Sequence, residues 1–216
     1  MSKTLGTGID PTALVRDWGA DAVRYWLLRE VPAGEDADFT ETGFARAYSA
    51  DLANDLGNLL QRTVSLLYRA RDGVVRSGEP DASSPLVAAV ADVPDALQRG
   101  LGDDWDPRRA LDAIFAVVRA GNRRVEETKP LVLLRAERDG DVEAGRRLDA
   151  TLWELTEILR VVAEALRPLL PQAAERIALQ LGLTPASSWR DALRWGGVPA
   201  GTRAAPPQAL FPRRQA

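Results

Sequence analysis

Apolar residues recur every three or four positions along most of the chain, the spacing that places side chains on one face of an α-helix. The longest stripe covers about residues 41–72, and another covers 142–167. Shorter stripes cover 9–30 (as two helices), 93–102, 107–127 and 171–181. The sequence has no runs in which apolar and polar residues alternate as they do in strands. The pattern predicts an all-α protein, built as an antiparallel helical bundle.

Three of these stripes follow a residue that can cap a helix. Asp10, Thr40 and Asp106 stand at these positions, where a side-chain oxygen can accept a hydrogen bond from a free N–H of the first turn. Pro11 and Pro107 come next in two cases, and proline at the first helical position removes no helical hydrogen bond. The caps support the helix starts that the periodicity predicts.

Two segments lack helical periodicity. Residues 73–92 contain Gly, Ser, Pro and Asp, and we predict a connecting loop there. Residues 184–216 are rich in proline and predict a mostly irregular tail.

Composition excludes several kinds of chemistry. The 216 residues include no Cys and no His, so disulfides, thiol nucleophiles, imidazole bases and Cys/His zinc sites are ruled out within this sequence. The carboxylates show no metal-binding spacing, and we predict no metal site. Apolar runs are too short to span a bilayer, and the start does not look like a secretion signal. We therefore expect a cytoplasmic protein without membrane contact.

The charge balance is slightly acidic, with a formal net charge of −3. A protein that coats nucleic acid through bulk charge would be basic, so that class is disfavoured. A local basic face remains compatible with RNA binding, because phosphate contacts depend on where Arg and Lys lie. The only lysines are Lys3 and Lys129.

Several stretches together resemble the methionyl-tRNA synthetases, which are class I aminoacyl-tRNA synthetases. The sequence opens with MSKTLG, similar to the KMSKS loop of that class. Residues 19–32 read GADAVRYWLLREVP and residues 52–63 read LANDLGNLLQRT, and both blocks are typical of the methionine enzymes. ETKP at 127–130 and LFPR at 210–213 continue the match in order. The resemblance extends over nearly the whole chain.

The resemblance implies a fold and a division of the chain. Residues 1–45 correspond to a KMSKS-loop remnant and a small stem-contact segment. Residues 46–183 correspond to a helical bundle of the class I anticodon-binding type, and residues 184–216 to a C-terminal tail that packs on the bundle. The parent reaction is ATP-dependent attachment of methionine to tRNA, with ATP and Mg²⁺ used by the parent enzyme and no cofactor expected in this chain.

The resemblance leaves enzymatic activity uncertain. Lys3 matches the second lysine of the KMSKS loop, which in the family steadies the ATP triphosphate. The family's HIGH motif begins with histidine and so cannot lie in this His-free sequence, and the Rossmann catalytic domain is not recognisable. We predict that Lys3 is non-functional here and that the chain is inactive alone.

The resemblance also assigns tRNA-binding roles. Asn58 and Arg62 match the Asn and Arg that contact the anticodon in the family. They lie four residues apart, so on a helix they project from the same face. An amide beside a planar guanidinium suits the exposed edges of single-stranded bases. Arg24 and Arg29 are candidates for contact with the tRNA stem.

One position departs from the family pattern. The family places an anticodon-stacking tryptophan directly after the ETKP block, and this chain has Leu131 there. Leucine has no π face, and stacking on an aromatic ring is worth about 1–3 kcal/mol per base, or roughly ten- to a hundredfold in affinity. Lys129 is a candidate phosphate contact, although an exposed lysine at a helix end commonly is only solvated.

Two interpretations of function remain. The first is a tRNA-binding module that recognises a methionine tRNA with a CAU anticodon, with a separate catalytic domain or chain docking on residues 1–45. The alternative is a truncated or repurposed synthetase paralogue that acts as a protein-interaction or structural bundle. Leu131 and the acidic charge favour the alternative, and in that case Asn58 and Arg62 are merely a solvated polar pair.

Overall fold

The computed structural model describes residues 9–32, 34, 36–76, 83–184 and 188–214, and Lys3 lies outside these ranges. Within them the secondary structure is helical, with no strand beyond one isolated bridge between Val74 and Arg203. The all-α bundle is confirmed. Its α-helices are α1 Pro11–Trp18, α2 Ala20–Glu30, α3 Glu41–Ala47, α4 Asn58–Arg71, α5 Pro85–Ala91, α6 Val93–Gln98, α7 Pro107–Thr128, α8 Pro130–Arg138, α9 Val142–Leu166, α10 Pro171–Leu181 and α11 Trp189–Ala192.

The three predicted caps are confirmed. The Asp10 carboxylate accepts a hydrogen bond from the Thr12 N–H at 2.9 Å. The Thr40 hydroxyl accepts one from the Gly43 N–H at 3.1 Å, and the Asp106 carboxylate accepts one from Arg109 N–H at 3.4 Å. Each side chain thereby satisfies one of the backbone donors that a helix start leaves free.

The long helix predicted over 41–72 is present but not uniform. Helices α3 and α4 are joined by a π-helical stretch, Tyr48–Gly57, so the rod is continuous from Glu41 to Arg71. The Asp55 carbonyl within this stretch accepts a hydrogen bond from the Asn122 side chain at 3.2 Å. A π-helical turn widens the helix, a feature that is frequent near functional sites.

The predicted loop over 73–92 is partly wrong, because α5 occupies its second half. The Ser84 hydroxyl caps this helix by accepting from the Leu86 N–H at 3.4 Å, and Pro85 follows at the first position. Leu86 and Val90 are buried in the common core. Helix α8, which carries Leu131, was not predicted either, since it begins directly after α7.

Helix α9 lies at the centre of the bundle, packed by α7, α8 and α10. Gly121 of α7 packs closely against α9 and α4, because a Cβ there would lie 2.3 Å from Ile158 Cδ1 and 2.9 Å from Leu59 Cδ2. Trp153 is buried, and its indole N–H donates to the Val198 carbonyl at 3.0 Å. Trp153 therefore belongs to the core and links α9 to the C-terminal segment.

The first helices and the C-terminal segment pack on this same core. The buried Asp21 carboxylate of α2 accepts a hydrogen bond from the Ala173 N–H at 2.6 Å, at the start of α10. The Tyr48 hydroxyl donates to the Pro212 carbonyl at 2.9 Å. Residues far apart in the sequence are thus joined, and α1–α2 sit on the bundle in a defined orientation.

Within the described ranges, no helix is both long enough and apolar enough to cross a membrane. No group of carboxylates in the same ranges is arranged to hold a metal ion.

Candidate nucleic-acid interface

A cleft of about 360 Å³ lies where α4 meets the corner between α7 and α8. One wall is a single face of α4, whose residues recur at helical spacing. The other wall is formed by the end of α7 and the first turn of α8. The lining residues are Arg62, Ser65, Leu66 and Arg69 on the first wall, and Val125, Glu126, Lys129, Pro130, Leu131 and Val132 on the second.

Arg62 bridges the two walls. Its Nη2 lies 2.8 Å from Glu126 Oε1, and the two side chains are 35% and 71% exposed. An ion pair this exposed contributes little to stability, since water screens it and two long side chains must be ordered. A guanidinium carries five N–H donors. Arg62 therefore keeps donors for a ligand in the cleft.

Asn58 lies one helical turn before Arg62 and is partly exposed. It occupies the first residue of α4, directly after the π-helical stretch. It is not among the residues that line the cleft. The structure thus brings Arg62, Lys129 and Leu131 to one cleft and leaves Asn58 beside it.

Leu131 forms part of an apolar surface inside the cleft. It is 45% exposed and its neighbour Val132 is 57% exposed, both in the first turn of α8. Leu66, Val125 and Pro130 are buried around them. The cleft therefore presents an apolar surface at the position where the resemblance implies an aromatic ring.

Lys129 holds the corner between α7 and α8 in a left-handed backbone conformation, with φ 47° and ψ 62°. Its N–H donates to the Val125 carbonyl at 3.1 Å and ends α7. Its carbonyl accepts from the Val132 N–H at 2.8 Å and begins α8. No ion pair with its ammonium group occurs in the described part of the chain, and the side chain is exposed.

The charge of the cleft is opposite to that of the whole chain. Three cations, Arg62, Arg69 and Lys129, line it with one carboxylate, Glu126. Three positive charges less one negative charge leave a local excess of two, on a chain whose formal net charge is −3. Phosphate binding depends on such local placement of cations.

Arg71, at the last position of α4, fixes the wall that carries Leu131. It is buried, and its Nη1 and Nη2 donate to the Glu137 carboxylate of α8 at 2.9 and 2.8 Å. It also pairs with Asp149 of α9 and donates to the carbonyls of Ala70 and Gly145. Burial alone would lower the pKa of this guanidinium, but the two carboxylates raise it above its ordinary value. No local pattern in the sequence indicates this network.

The two stem-contact candidates lie away from the cleft and differ from one another. Arg24 is exposed and pairs with Asp21 at 3.3 Å on its own helix. Arg29 is partly buried, pairs with Asp112 of α7, and its carbonyl accepts a hydrogen bond from Arg108 Nε at 2.8 Å. Arg24 is thus free to meet a partner at the surface, whereas Arg29 holds α2 against α7.

Comparison with known proteins supports a relation to aminoacyl-tRNA synthetases. A family model described as tRNA synthetases class I (M) matches residues 1–64. A methionine–tRNA ligase of Deinococcus radiodurans is 40% identical over 215 residues, which is 99% of this chain and 30% of that protein. One of Clostridium acetobutylicum is 34% identical over 215 residues, covering 99% of this chain and 32% of its own length. The chain spans about a third of the length of these curated relatives.

Solved structures agree with these relatives. Mycobacterium tuberculosis methionyl-tRNA synthetase in complex with methionyl-adenylate superposes with a TM-score of 0.84 at 34% identity, over 99% of this chain and 41% of that chain. The free form of the same enzyme gives a TM-score of 0.82 at 33% identity, over 96% and 41% of the two chains.

Proposed function

Because this chain belongs to the methionyl-tRNA synthetase family and spans about a third of the length of its curated relatives, we propose that it is the tRNA-binding part of a methionine–tRNA ligase. The parent reaction is the ATP-dependent attachment of methionine to tRNA. ATP and Mg²⁺ take part in the catalytic step of that reaction, as does the KMSKS loop that Lys3 matches. The role of the described residues is to hold and recognise the tRNA.

The observation that carries the proposal is the cationic cleft between α4 and the α7–α8 corner. Arg62 extends into it with donors left over from its pair with Glu126. The apolar surface at Leu131 and Val132 suits the face of an unstacked base, and the surrounding cations suit phosphates. We assign the recognition of a CAU anticodon to Asn58 and Arg62, through hydrogen bonds to base edges.

Leu131 defines a second candidate function. Leu131 is apolar and 45% exposed, and Val132 lies beside it. Such exposed apolar side chains are also what a protein-binding surface requires. A repurposed paralogue that binds another protein through this patch would need no aromatic ring. This candidate predicts that RNA binds without anticodon preference.

Helices α1 and α2 supply a second contact surface. Val15 is 40% exposed and Leu27 is 48% exposed, while most other large apolar side chains of the described chain are covered. Arg24 is exposed on the same pair of helices. We propose that this surface meets a catalytic domain, and that Arg24 contacts the tRNA stem.

Binding of the purified chain to methionine tRNA tests the proposal. Affinity is measured for the CAU anticodon and for the same tRNA with an altered anticodon, at two fixed salt concentrations because electrostatic binding depends on salt. We expect a preference of about tenfold or more for CAU, the effect of losing a base-edge contact. Equal, weak and salt-sensitive binding of both tRNAs would refute anticodon recognition and favour the protein-binding candidate.

A further inference from the structure

The backbone at Lys129 is in a conformation that its side chain makes unfavourable. A left-handed residue between two helices is most often glycine, because a Cβ is crowded there. Two other non-glycine residues of the described chain share a positive φ, Asp72 at 51° and Trp105 at 48°. Asp tolerates this region through its short polar side chain, and Trp105 lines no part of the cleft. Lys129 alone combines the unfavourable backbone with a place in a candidate site.

The place of the Lys129 side chain in the cleft explains why a lysine, and not a glycine, occupies this turn. Glycine would satisfy both backbone hydrogen bonds that Lys129 makes with Val125 and Val132. The ammonium group takes part in no ion pair in the described ranges, so the fold gains no salt bridge from it. Residues with an unfavourable backbone conformation cluster at functional sites, which supports a functional role for Lys129.

Arg69 stands on the opposite wall of the same cleft. It lies seven residues after Arg62, two helical turns along the same face of α4, and it is exposed. Within the described residues it forms no ion pair, whereas Arg62 is paired with Glu126. Arg69 and Lys129 are thus the two cations of the cleft lining that have no carboxylate partner within the described residues.

We propose that Lys129 and Arg69 together bind a backbone phosphate of the RNA loop that occupies this cleft. The inference rests on the proposed function and extends it, because it adds a contact that is independent of base identity. Phosphate contacts position an RNA, whereas contacts to base edges distinguish its sequence. In this chain the phosphate contact offsets part of the affinity that Leu131, without a π face, does not supply.

The test uses the full chain and an anticodon stem–loop RNA hairpin. Lys129→Gly and Arg69→Gln each remove one charge, and their affinities are measured as a function of salt. We expect each to bind about tenfold more weakly, as for loss of a charge-assisted hydrogen bond, with equal losses for CAU and altered loops. The slope of log affinity against log salt should fall by about 0.7 in each, one single-strand phosphate contact.

Three controls make the result specific. Lys129→Arg and Arg69→Lys keep the charge and should retain most of the affinity and the full slope. Arg46→Gln removes an exposed charge from α3, 23 residues before Arg69 and roughly 30 Å along the same rod, and should change neither quantity. Lys129→Gly should also melt at the same or a higher temperature, because glycine relieves the backbone, so weaker binding cannot come from unfolding.

The outcomes separate this inference from the proposed function. If the unmodified chain prefers CAU but both neutral variants keep its affinity and slope, the phosphate contact is refuted alone. If the variants lose slope but the unmodified chain binds every loop equally, the phosphate contact stands and anticodon recognition is refuted. If the unmodified chain does not bind the hairpin, both are refuted.

Discussion

The two ends of α4 use the same residue type in opposite ways. At its end, Arg71 is buried and donates to two carboxylates and two carbonyls, which join α4 to α8 and α9. Two and a half turns earlier, Arg62 is partly exposed and pairs with one carboxylate that is 71% exposed. An arginine whose donors are all engaged stabilises a fold, whereas one with spare donors beside a cleft can bind a ligand. The difference lies in the number and burial of the partners.

The largest effect is expected when the Arg71 network at the C-terminal end of α4 is broken. Arg71→Met leaves Glu137 and Asp149 without their shared cation, and both carboxylates are about three-quarters covered. Removing one partner of a buried ion pair typically costs about 3–5 kcal/mol, and the partial exposure of the carboxylates places this case near 3. Urea denaturation should show the loss, with Arg71→Lys retaining part of the stability. A change below about 1 kcal/mol would mean that the network does not hold α8 in place.

The next largest effect is expected from filling the cleft. Leu131→Trp supplies an aromatic face at the surface where the family pattern has one. Base stacking should raise the affinity for a CAU hairpin about ten- to a hundredfold, with little change in stability because the residue is 45% exposed. Leu131→Met serves as the matched control, since it is apolar and large but has no ring. Equal affinities for the Trp and Met variants would show that no base reaches this surface.

A smaller effect on RNA affinity is expected from substitutions of Arg62 and Asn58 near the start of α4. These substitutions should leave the stability of the fold almost unchanged. Arg62→Gln and Asn58→Ala should each change the free energy of unfolding by no more than about 0.5 kcal/mol, as for exposed positions. Each should reduce the preference for CAU over an altered anticodon by about tenfold. Hairpin titrations and urea denaturation of the same samples give both quantities. A large stability loss with unchanged preference would make Arg62 structural, like Arg71.

The smallest effect concerns Asp55, three residues before Asn58. Partial burial and the neighbouring Asp51 raise its pKa above the ordinary value of 3.8, against the opposing effect of Arg119. The folded state therefore disfavours its ionised form, and that penalty is present at neutral pH and vanishes as the pH falls towards 3.8. Asp55→Asn should stabilise the chain at pH 7 by about a few tenths of a kcal/mol after solvent screening, and the gain should shrink towards pH 4. A gain that grows on acidification would contradict this sign.

Structural features that depend on neighbouring residues could be predicted from the sequence, whereas contacts with residues distant in the sequence could not. The caps at Asp10, Thr40 and Asp106 depend only on the next few residues, so the pattern indicated them correctly. Helix α5 was missed because Ser84 and Pro85, which start it, lie in a stretch rich in Gly, Ser and Pro. The π-helical form of Tyr48–Gly57 leaves the apolar spacing close to that of an α-helix, and the pattern did not reveal it.

The same limit applies to the candidate site. Arg62, Lys129 and Leu131 were named from the family resemblance, and the structure brings them to one cleft. Glu126 as the partner of Arg62 and the ion-pair network of Arg71 were not predicted, because both depend on partners on other helices. Arg71 and Asp149, for example, are 78 residues apart. No periodicity within one helix carries that information.

Magnetic resonance of the arginine side chains tests the contrast between the two ends most directly. The Nε–H signals of Arg62 and Arg71 are followed while a CAU hairpin, and then an altered hairpin, is added to the unmodified chain. We predict that the Arg62 signal shifts strongly with CAU and less with the altered loop, while the Arg71 signal stays in place. Equal shifts with both loops, or a response at Arg71 without one at Arg62, would contradict it.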